Sequence, residues 1–359
     1  MQVKDFTSNK HKTINPQEYK TTIFHHYSLP AFDNSKTVSD EYGSTILSNK
    51  FLLQKSAILF NKLNIKFKRI WNVKNPAPNS ICSSEFIPLV VDEAVCLQDY
   101  LYYFLCSEPL TNKLLGCVSG TSNSQQRIRP EDLLKQEISI PPIENQRHIV
   151  DILGTLDEKI ENNEKIIANI EKLCKKEYQK LSADSSEFLP LGDIIKIFDS
   201  LRIPLSSRER DDKKGNYPYY GATGVLDYVN DYIFSGEYVL IAEDGTVIDD
   251  DGYPIVQLVT GDFWVNNHAH ILQAQNGYTN YSLYIALKCT NVTKAITGAV
   301  QLKINQANLC KIELPLLNPN ALNRFNEMAK SLFKKLLQCR QENLKLNELK
   351  QLYLKKFFG

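Results

Sequence analysis

The chain has 359 residues, 43% of them hydrophobic, which is enough to build two domains of ordinary size. Its formal net charge is only +1, so any nucleic acid would have to be bound by local basic patches. The eight cysteines are scattered without a CxxC pair, which favours buried thiols over disulfides. No apolar run is long enough to cross a membrane, and no signal-peptide core follows the first lysines. We therefore expect a soluble, cytoplasmic protein.

The first predicted domain, residues 1–143, contains an unusually basic segment. Residues 51 to 75, FLLQKSAILFNKLNIKFKRIWNVKN, carry six lysines and arginines and no acid. Phosphate contact needs only charge, whereas base reading needs forked or amide side chains. The candidate DNA contacts in this segment are Lys62, Lys66, Lys68 and Arg69.

A glycine-containing polar loop, SGTSNSQQRIR, follows an aromatic-rich predicted helix near residue 101. Glycine allows a backbone to approach a groove closely, and amide and guanidinium side chains can pair with base edges. The candidates here are Asn123, Gln125, Gln126, Arg127 and Arg129, although each can equally be a solvated loop residue.

Residues 137 to 146, EISIPPIENQ, predict a short strand, a proline turn and the start of a long helix over 144–181. Asn163 stands near the middle of an apolar seam that advances by alternating steps of three and four residues, as in a coiled coil. Glu177 interrupts the seam. The other seam positions are Ile149, Leu153, Leu156, Ile160, Ile167 and Ile170, followed by Cys174 and Leu181.

The second predicted domain covers residues 189–317 and repeats the order of the first. Its turn PYYGATG offers Tyr219, Tyr220 and Thr223, and its loop TGAVQLK offers Thr297, Gln301 and Lys303 as DNA contacts. Nearby Arg202, Arg208, Arg210, Lys213 and Lys214 could hold phosphates. For the tyrosines, packing at a turn is an equally good interpretation.

No metal site is expected. The histidines show no reliable ligand spacing, and His268 and His270 fit a strand of the domain core. The acidic residues Glu243, Asp244 and 249–251 are typical of turns.

A second long helix is predicted over 319–359, after IELPLLNPNA, which parallels EISIPPIENQ. Its seam also contains one central asparagine, Asn343, and a polar residue at such a position fixes register at some cost in stability. The other seam positions are Leu322, Phe325, Ala329, Leu332, Leu336, Cys339 and Leu346. Two copies of a domain plus a helix predict a tandem-repeat α/β (α+β) fold with pseudo-two-fold symmetry, its helices paired as an antiparallel coiled coil.

Several phrases in this order resemble the specificity subunit of type I restriction-modification systems. They include YSLPAFDN, ILFNKLNIKFKRIW, ISIPPIENQRHIVDILGTLDEKIENNEKI, YYGATGVLDYVNDYIFSGEYVLIAEDG, FWVNNHAHIL and ENLKLNELKQLYLKKFFG. The resemblance covers nearly the whole chain. It implies two target recognition domains, each reading one half of a bipartite asymmetric DNA site, and helices that set the unread spacer. It also implies two methyltransferase subunits that use S-adenosylmethionine and two translocating endonuclease subunits that use ATP and Mg²⁺.

No catalytic role is expected for the chain itself. It lacks the Asn/Asp-Pro-Pro-aromatic loop that holds a flipped adenine, a GxxxxGK[ST] motif and an HExxH motif. The alternative hypothesis is a tandem-repeat coiled-coil scaffold without DNA specificity. Steep salt dependence and preference for one bipartite sequence would distinguish a DNA reader from a scaffold.

Overall fold

A similar β-sheet forms twice along the chain, once in each of two units. The computed structural model describes residues 1–34, 36–117, 126–183, 185–298 and 301–359. Unit 1 comprises residues 1–162 and 342–359, and unit 2 comprises residues 163–341. Each unit therefore includes part of both long helices, which the sequence prediction had set apart from the domains.

Unit 1 combines two sheets with short helices. Its strands are β1 (Thr7–Ser8), β2 (Lys12–Ile14), β3 (Ile23–Tyr27), β4 (Ser39–Tyr42), β5 (Lys50–Leu52), β6 (Ala57–Asn61), β7 (Ile70–Val73), β8 (Ser80–Ser83) and β9 (Phe86–Val91). Its helices are α1 (Leu29–Asp33), α2 (Gln98–Cys106), α3 (Glu108–Leu115) and α4 (Pro130–Leu134). The central sheet has the order β1-β9-β6-β7, and the other has the order β2-β5-β8-β3-β4. Strand β6, AILFN, is buried at every residue, which accounts for its continuous apolar run.

The helix α5 (Ile143–Ser182) starts directly after the proline pair of the first repeat. Gln146, in its first turn, is fully buried. Its side-chain oxygen accepts from the Leu97 N–H at 2.8 Å, and its amide donates to the Pro141 carbonyl at 2.9 Å. These bonds satisfy a buried amide and fix the start of α5 to unit 1.

Unit 2 has one larger sheet and a two-stranded ribbon. Its strands are β10 (Phe188–Pro190), β11 (Ile195–Ile197), β12 (Lys214–Tyr220), β13 (Val225–Val229), β14 (Phe234–Ala242), β15 (Val256–Val265), β16 (Ala269–Ala274) and β17 (Glu313–Pro315). Its helices are α6 (Ser207–Asp212), α7 (Asn280–Lys288) and α8 (Gln306–Cys310). The larger sheet has the order β11-β16-β14-β15-β12-β13, and β10 pairs with β17.

The order β11-β16-β14-β15 repeats the order β1-β9-β6-β7. On β6, Leu59 lies opposite Pro88 and Trp71. The equivalent residue of β14, Leu240, lies opposite Ile271 and Gln257. The two copies differ in what is added, because unit 1 has the β2-β5-β8-β3-β4 sheet and unit 2 has the β12–β13 hairpin.

The strand predicted before the first proline pair is shorter than expected. In unit 2 the second copy forms β17, which pairs with β10 over three residues. In unit 1 the equivalent contact is an isolated bridge between Glu137 and Gln2. The apolar side chain Ile138 is nevertheless buried, so the periodicity reports burial there rather than a strand.

The last helix, α9 (Pro319–Phe358), runs antiparallel to α5 within each unit. In unit 1, Asp157 binds Lys350 at 2.5 Å, and the later residue Lys159 lies 3.4 Å from the earlier Glu342. In unit 2, the rings of Tyr178 and Phe325 lie 5.7 Å apart at an edge-to-face angle. Within the described ranges, no helix is both long and apolar enough to cross a membrane.

The predicted seam positions differ in burial. Buried ones are Leu153, Asn163, Ile170, Cys174, Leu322, Phe325, Ala329, Leu336 and Cys339. Half-buried ones are Ile149, Leu156, Ile160, Ile167, Leu181, Leu332, Asn343 and Leu346.

Two further aromatic residues, outside the predicted seam, lie in the core of unit 2. Tyr178 is buried next to the expected break at Glu177, and Phe333 is buried next to Leu332. The ring of Phe333 stacks on Tyr281 of α7 at 5.0 Å. Because α7 also covers the two long helices, their apolar stripe is wider than a two-helix seam.

A carboxylate of α5 joins three elements in unit 2. Glu171 accepts a hydrogen bond from the Tyr284 hydroxyl at 2.9 Å and pairs with Lys288 at 2.7 Å, both from α7. Arg340 of α9 lies 3.4 Å away. Burial alone would raise the pKa of Glu171, but these donors outweigh it and hold that pKa below its ordinary value.

We expect Glu171→Gln to lower the free energy of unfolding by about 1 to 3 kcal/mol at neutral pH, because it leaves Lys288 without its charge partner. A depressed carboxyl pKa contributes stability above the unfolded-state pKa, and that contribution is lost as the pH falls through the folded-state pKa. Urea unfolding should therefore show the difference shrinking in acid. Glu164→Gln, an exposed change on the same helix, is the control, and an equal loss in both variants would contradict the assignment.

Candidate nucleic-acid interface

The four candidate cations of the basic segment lie between β6 and β7, on a connection that contains a 3-10 turn at Ile65–Phe67. Lys62 donates to the Ser84 carbonyl at 2.8 Å, which holds its side chain against the β8–β9 connection. Lys66 is exposed, and Lys68 has a positive φ of 44°. Arg69 pairs with Asp33 at 2.7 Å, and its guanidinium covers the ring of Phe67 at 4.9 Å. The Lys66 side chain is thus available to DNA, whereas the Lys62 and Arg69 side chains already bind groups of the same unit.

Two segments that are far apart in sequence come together in unit 1. The Asn64 N–H donates to the Gln126 carbonyl at 2.9 Å, and the Ile128 N–H donates to the Lys62 carbonyl at 3.1 Å. Arg127 and Arg129 are exposed and pair with acids of the same unit, Glu85 at 3.0 Å and Asp132 at 3.3 Å. Asn123 and Gln125 lie outside the described residues.

In unit 2 the loop that begins at Thr297 is closed by its own backbone. The Thr297 N–H donates to the Lys303 carbonyl at 2.7 Å, and the Lys303 N–H donates back at 2.8 Å. Gly298 has a φ of 90°, and a Cβ placed there would lie 2.2 Å from the Gln301 carbonyl oxygen. Thr297, Gln301 and Lys303 are exposed. The Thr297 hydroxyl donates to the Lys303 carbonyl at 3.1 Å, so the groups that the loop offers to solvent are the Gln301 amide and the Lys303 ammonium.

The three predicted DNA contacts of the PYYGATG turn differ in their exposure to solvent. Tyr219 is only 1% exposed, and its hydroxyl accepts from the Leu205 N–H at 2.8 Å. It is therefore a core residue and not a surface contact, because its side chain lies on the inward face of β12. Tyr220 is half-buried against Phe263, whereas Thr223 is exposed at the turn.

Most of the flanking basic residues of unit 2 are engaged within the unit. Arg210 and Lys214 both pair with Asp227, at 3.3 and 2.8 Å. Lys213 lies over the Trp264 ring at 5.6 Å. Arg208 is exposed and remains a candidate phosphate contact.

A buried ion-pair network lies beneath the Lys303 loop. Asp199, Glu243 and His270 bring their ligand-type atoms within 4.8 Å of one another. Arg202 pairs with one Glu243 oxygen at 2.7 Å, and Lys303 pairs with the other at 3.1 Å. Burial raises the pKa of Glu243, but the donors outweigh it and the pKa is lowered. With both oxygens already bound to cations, the cluster is better suited to positioning charges than to holding a metal.

This network was not found from the sequence. The sequence pattern indicates a turn at Glu243 and a core strand at His270, and Asp199 lies in a 3-10 turn far away in the chain. Turn hydrogen bonding does occur nearby, where the Asp249 carboxylate accepts from the N–H groups of Asp251 and Tyr253. Of the two histidines expected in a core strand, only His270 lies in β16 and is buried. The prediction was wrong for His268, which is exposed in the turn before that strand and binds Asp244 at 2.5 Å.

Comparison with known proteins decides the family. The sequence model of the type I restriction modification DNA specificity domain matches residues 2–172 and again 184–351. The chain belongs to this family. It carries the DNA specificity domain in two copies.

Individual relatives align with only part of the chain. A putative type I restriction enzyme specificity subunit of Haemophilus influenzae is 37% identical over 38% of this chain and 34% of its own length. The HindI specificity subunit of the same organism is 24% identical over 36% of this chain and 32% of its own length. The chain thus aligns with about a third of each curated relative.

A solved structure shares the fold. The S subunit of a type I restriction-modification system from M. genitalium superposes with a TM-score of 0.59 at 17% identity. The alignment covers 100% of this chain and 95% of that one.

A substitution at Gly298 tests the backbone geometry of the loop that ends at Lys303. Gly298→Ala should destabilise unit 2 by about 1 to 2 kcal/mol, because a non-glycine residue is strained at this φ and its Cβ meets the Gln301 carbonyl. Gly154→Ala is the matched change, since its Cβ would meet only the Tyr103 hydroxyl at 3.7 Å inside α5. There we expect a gain of about 0.5 to 1 kcal/mol from helix propensity. Equal effects in thermal unfolding would contradict the loop geometry.

Proposed function

We propose that each unit reads one half of a bipartite, asymmetric DNA site. The observation that carries this proposal is the repeated placement of a basic segment beside the central strand. In unit 1 the Ile128 N–H donates to the Lys62 carbonyl, and in unit 2 the Ile304 N–H donates to the Glu243 carbonyl. The preceding residues, Arg127 and Lys303, are both exposed. Each unit therefore offers a cation at the same point of the fold.

The chemistry of the two copies differs at these equivalent points. Arginine can bind guanine with two parallel hydrogen bonds, whereas lysine acts as a compact charge. Position 62 is a lysine where position 243 is a glutamate, so the local charge is reversed. Different side chains on the same frame favour different half-site sequences, which is the basis for an asymmetric site.

The long helices are proposed to set the unread spacer and to dock the partner subunits. In this proposal, two methyltransferase subunits supply S-adenosylmethionine-dependent modification, and two restriction subunits supply ATP- and Mg²⁺-dependent translocation and cleavage. The complex acts on double-stranded DNA in the cytoplasm. The chain itself supplies sequence recognition.

An insertion in both helices tests this assignment. Residues 163–182 belong to unit 2, so the helices pass between units at 162–163 and 341–342. Four residues added at both points lengthen each helix by about 6 Å, slightly under two base pairs of B-DNA. They rotate the following residues by roughly 40°, since four steps slightly exceed one turn. We expect methylation mapping in cells that express the methyltransferase partner to show the same half-sites with a spacer longer by about one or two base pairs.

The matched control places four residues after Lys180, inside unit 2, where we expect no change in the spacer. An unchanged spacer with full methylation in the double insertion would show that the helices do not set the distance. Absence of any bipartite sequence with the wild-type chain would favour the scaffold hypothesis.

A further inference from the structure

We infer that Glu243 is a positioning residue for DNA reading by unit 2, with Arg202, His270 and Asp199 fixing it so that it orients Lys303. The inference rests on the proposed function and deepens it, because it assigns to a buried network the control of one half-site. Glu243 itself is largely covered, with 13% of its side chain exposed, whereas 46% of the Lys303 side chain is exposed. The acid is therefore placed to hold the lysine and not to touch DNA.

The carboxylate of Glu243 is clamped from both sides. One oxygen binds Arg202 at 2.7 Å, and the other binds the Lys303 ammonium at 3.1 Å. Arg202 is itself fixed, because it also donates to the Ala269 carbonyl at 2.8 Å. An ammonium group has three N–H donors, and one bond to Glu243 leaves others for a phosphate or a base edge. Holding the side chain before binding reduces the entropy lost when DNA is bound.

The backbone after Lys303 is held by the same network. The Ile304 N–H donates to the Glu243 carbonyl at 2.9 Å, and the Ile304 carbonyl lies 2.8 Å from Nε2 of His270. The other ring nitrogen of His270 lies 2.6 Å from the Asp199 carboxylate. Both ring nitrogens thus lie within hydrogen-bond distance of oxygen atoms, so the ring links the backbone after Lys303 to Asp199. Asp199 also accepts from the Ile271 N–H at 2.9 Å.

Unit 1 holds its equivalent cation in another way. Arg127 pairs with Glu85, which directly precedes β9, at 3.0 Å. The residue equivalent to Glu243 is Lys62, and the residue equivalent to His270 is Ile87, because Ile87 pairs with Phe60 as His270 pairs with Ile241. The buried network is therefore a property of unit 2, and Glu85→Gln in unit 1 provides a matched change for Glu243→Gln.

The test selects duplexes from a random-sequence library with the purified full chain bound to its methyltransferase partner. Wild type should select one bipartite sequence. Glu243→Gln should keep the sequence preference at one half-site and lose it at the other, with about tenfold weaker binding to the wild-type sequence. Glu85→Gln should affect the opposite half-site. The neutral glutamine keeps an oxygen near Lys303 but removes the charge, so thermal unfolding should show an otherwise folded chain.

If Glu243→Gln unfolds, Lys303→Gln replaces it, since this exposed change leaves Glu243 paired with Arg202 and should relax the same half-site. A folded Glu243→Gln variant, or in its place Lys303→Gln, that selects the wild-type sequence with undiminished preference would overturn the inference and leave the proposed function intact. Equal loss at both half-sites would also overturn it. A wild-type chain that selects no bipartite sequence would instead refute the proposed function.

Discussion

In each unit a carboxylate of α5 ties the domain to both long helices, and the placement of the domain on these helices depends on this contact. Asp157 accepts a hydrogen bond from the Tyr103 hydroxyl of α2 and pairs with Lys350 of α9. Glu171 does the same with Tyr284 of α7 and Arg340. Half-buried charges need such partners, because an unpaired one would cost several kcal/mol. The domain helices are thereby fixed on the same two helices that connect the units.

The two units share the order of four sheet strands, which we call the frame, and differ in the side chains and elements around it. The strand order β1-β9-β6-β7 recurs as β11-β16-β14-β15, which places Arg127 and Lys303 at the same position. Outside this frame the units differ, with an added sheet in one and the β12–β13 hairpin in the other. The acids that hold the two cations also stand at different points of the frame, because Glu85 directly precedes β9 whereas Glu243 directly follows β14, the counterpart of β6. A duplicated frame with independent surfaces is what reading two different half-sites requires.

The sequence predicted the family, the repeat and the two long helices, because apolar periodicity and proline turns are local signals. It could not separate Tyr219, which is buried, from Thr223, which is exposed, since both stand in one short turn. It also missed Tyr178 and Phe333, whose burial depends on packing by another helix. The network of Asp199, Glu243 and His270 is assembled from three segments that are distant in sequence. Sequence motifs describe residues at short, fixed spacings, so they do not predict such a network.

We propose that the two units read DNA independently, and exchange of one domain tests this proposal. Residues 189–317 would be replaced by the matching segment of a family member with a different specificity, and DNA methylation would be mapped in cells that express the methyltransferase partner. We expect one half-site to change to that of the donor, with the other half-site and the spacer unchanged. A change in both half-sites would contradict independent reading by the two units.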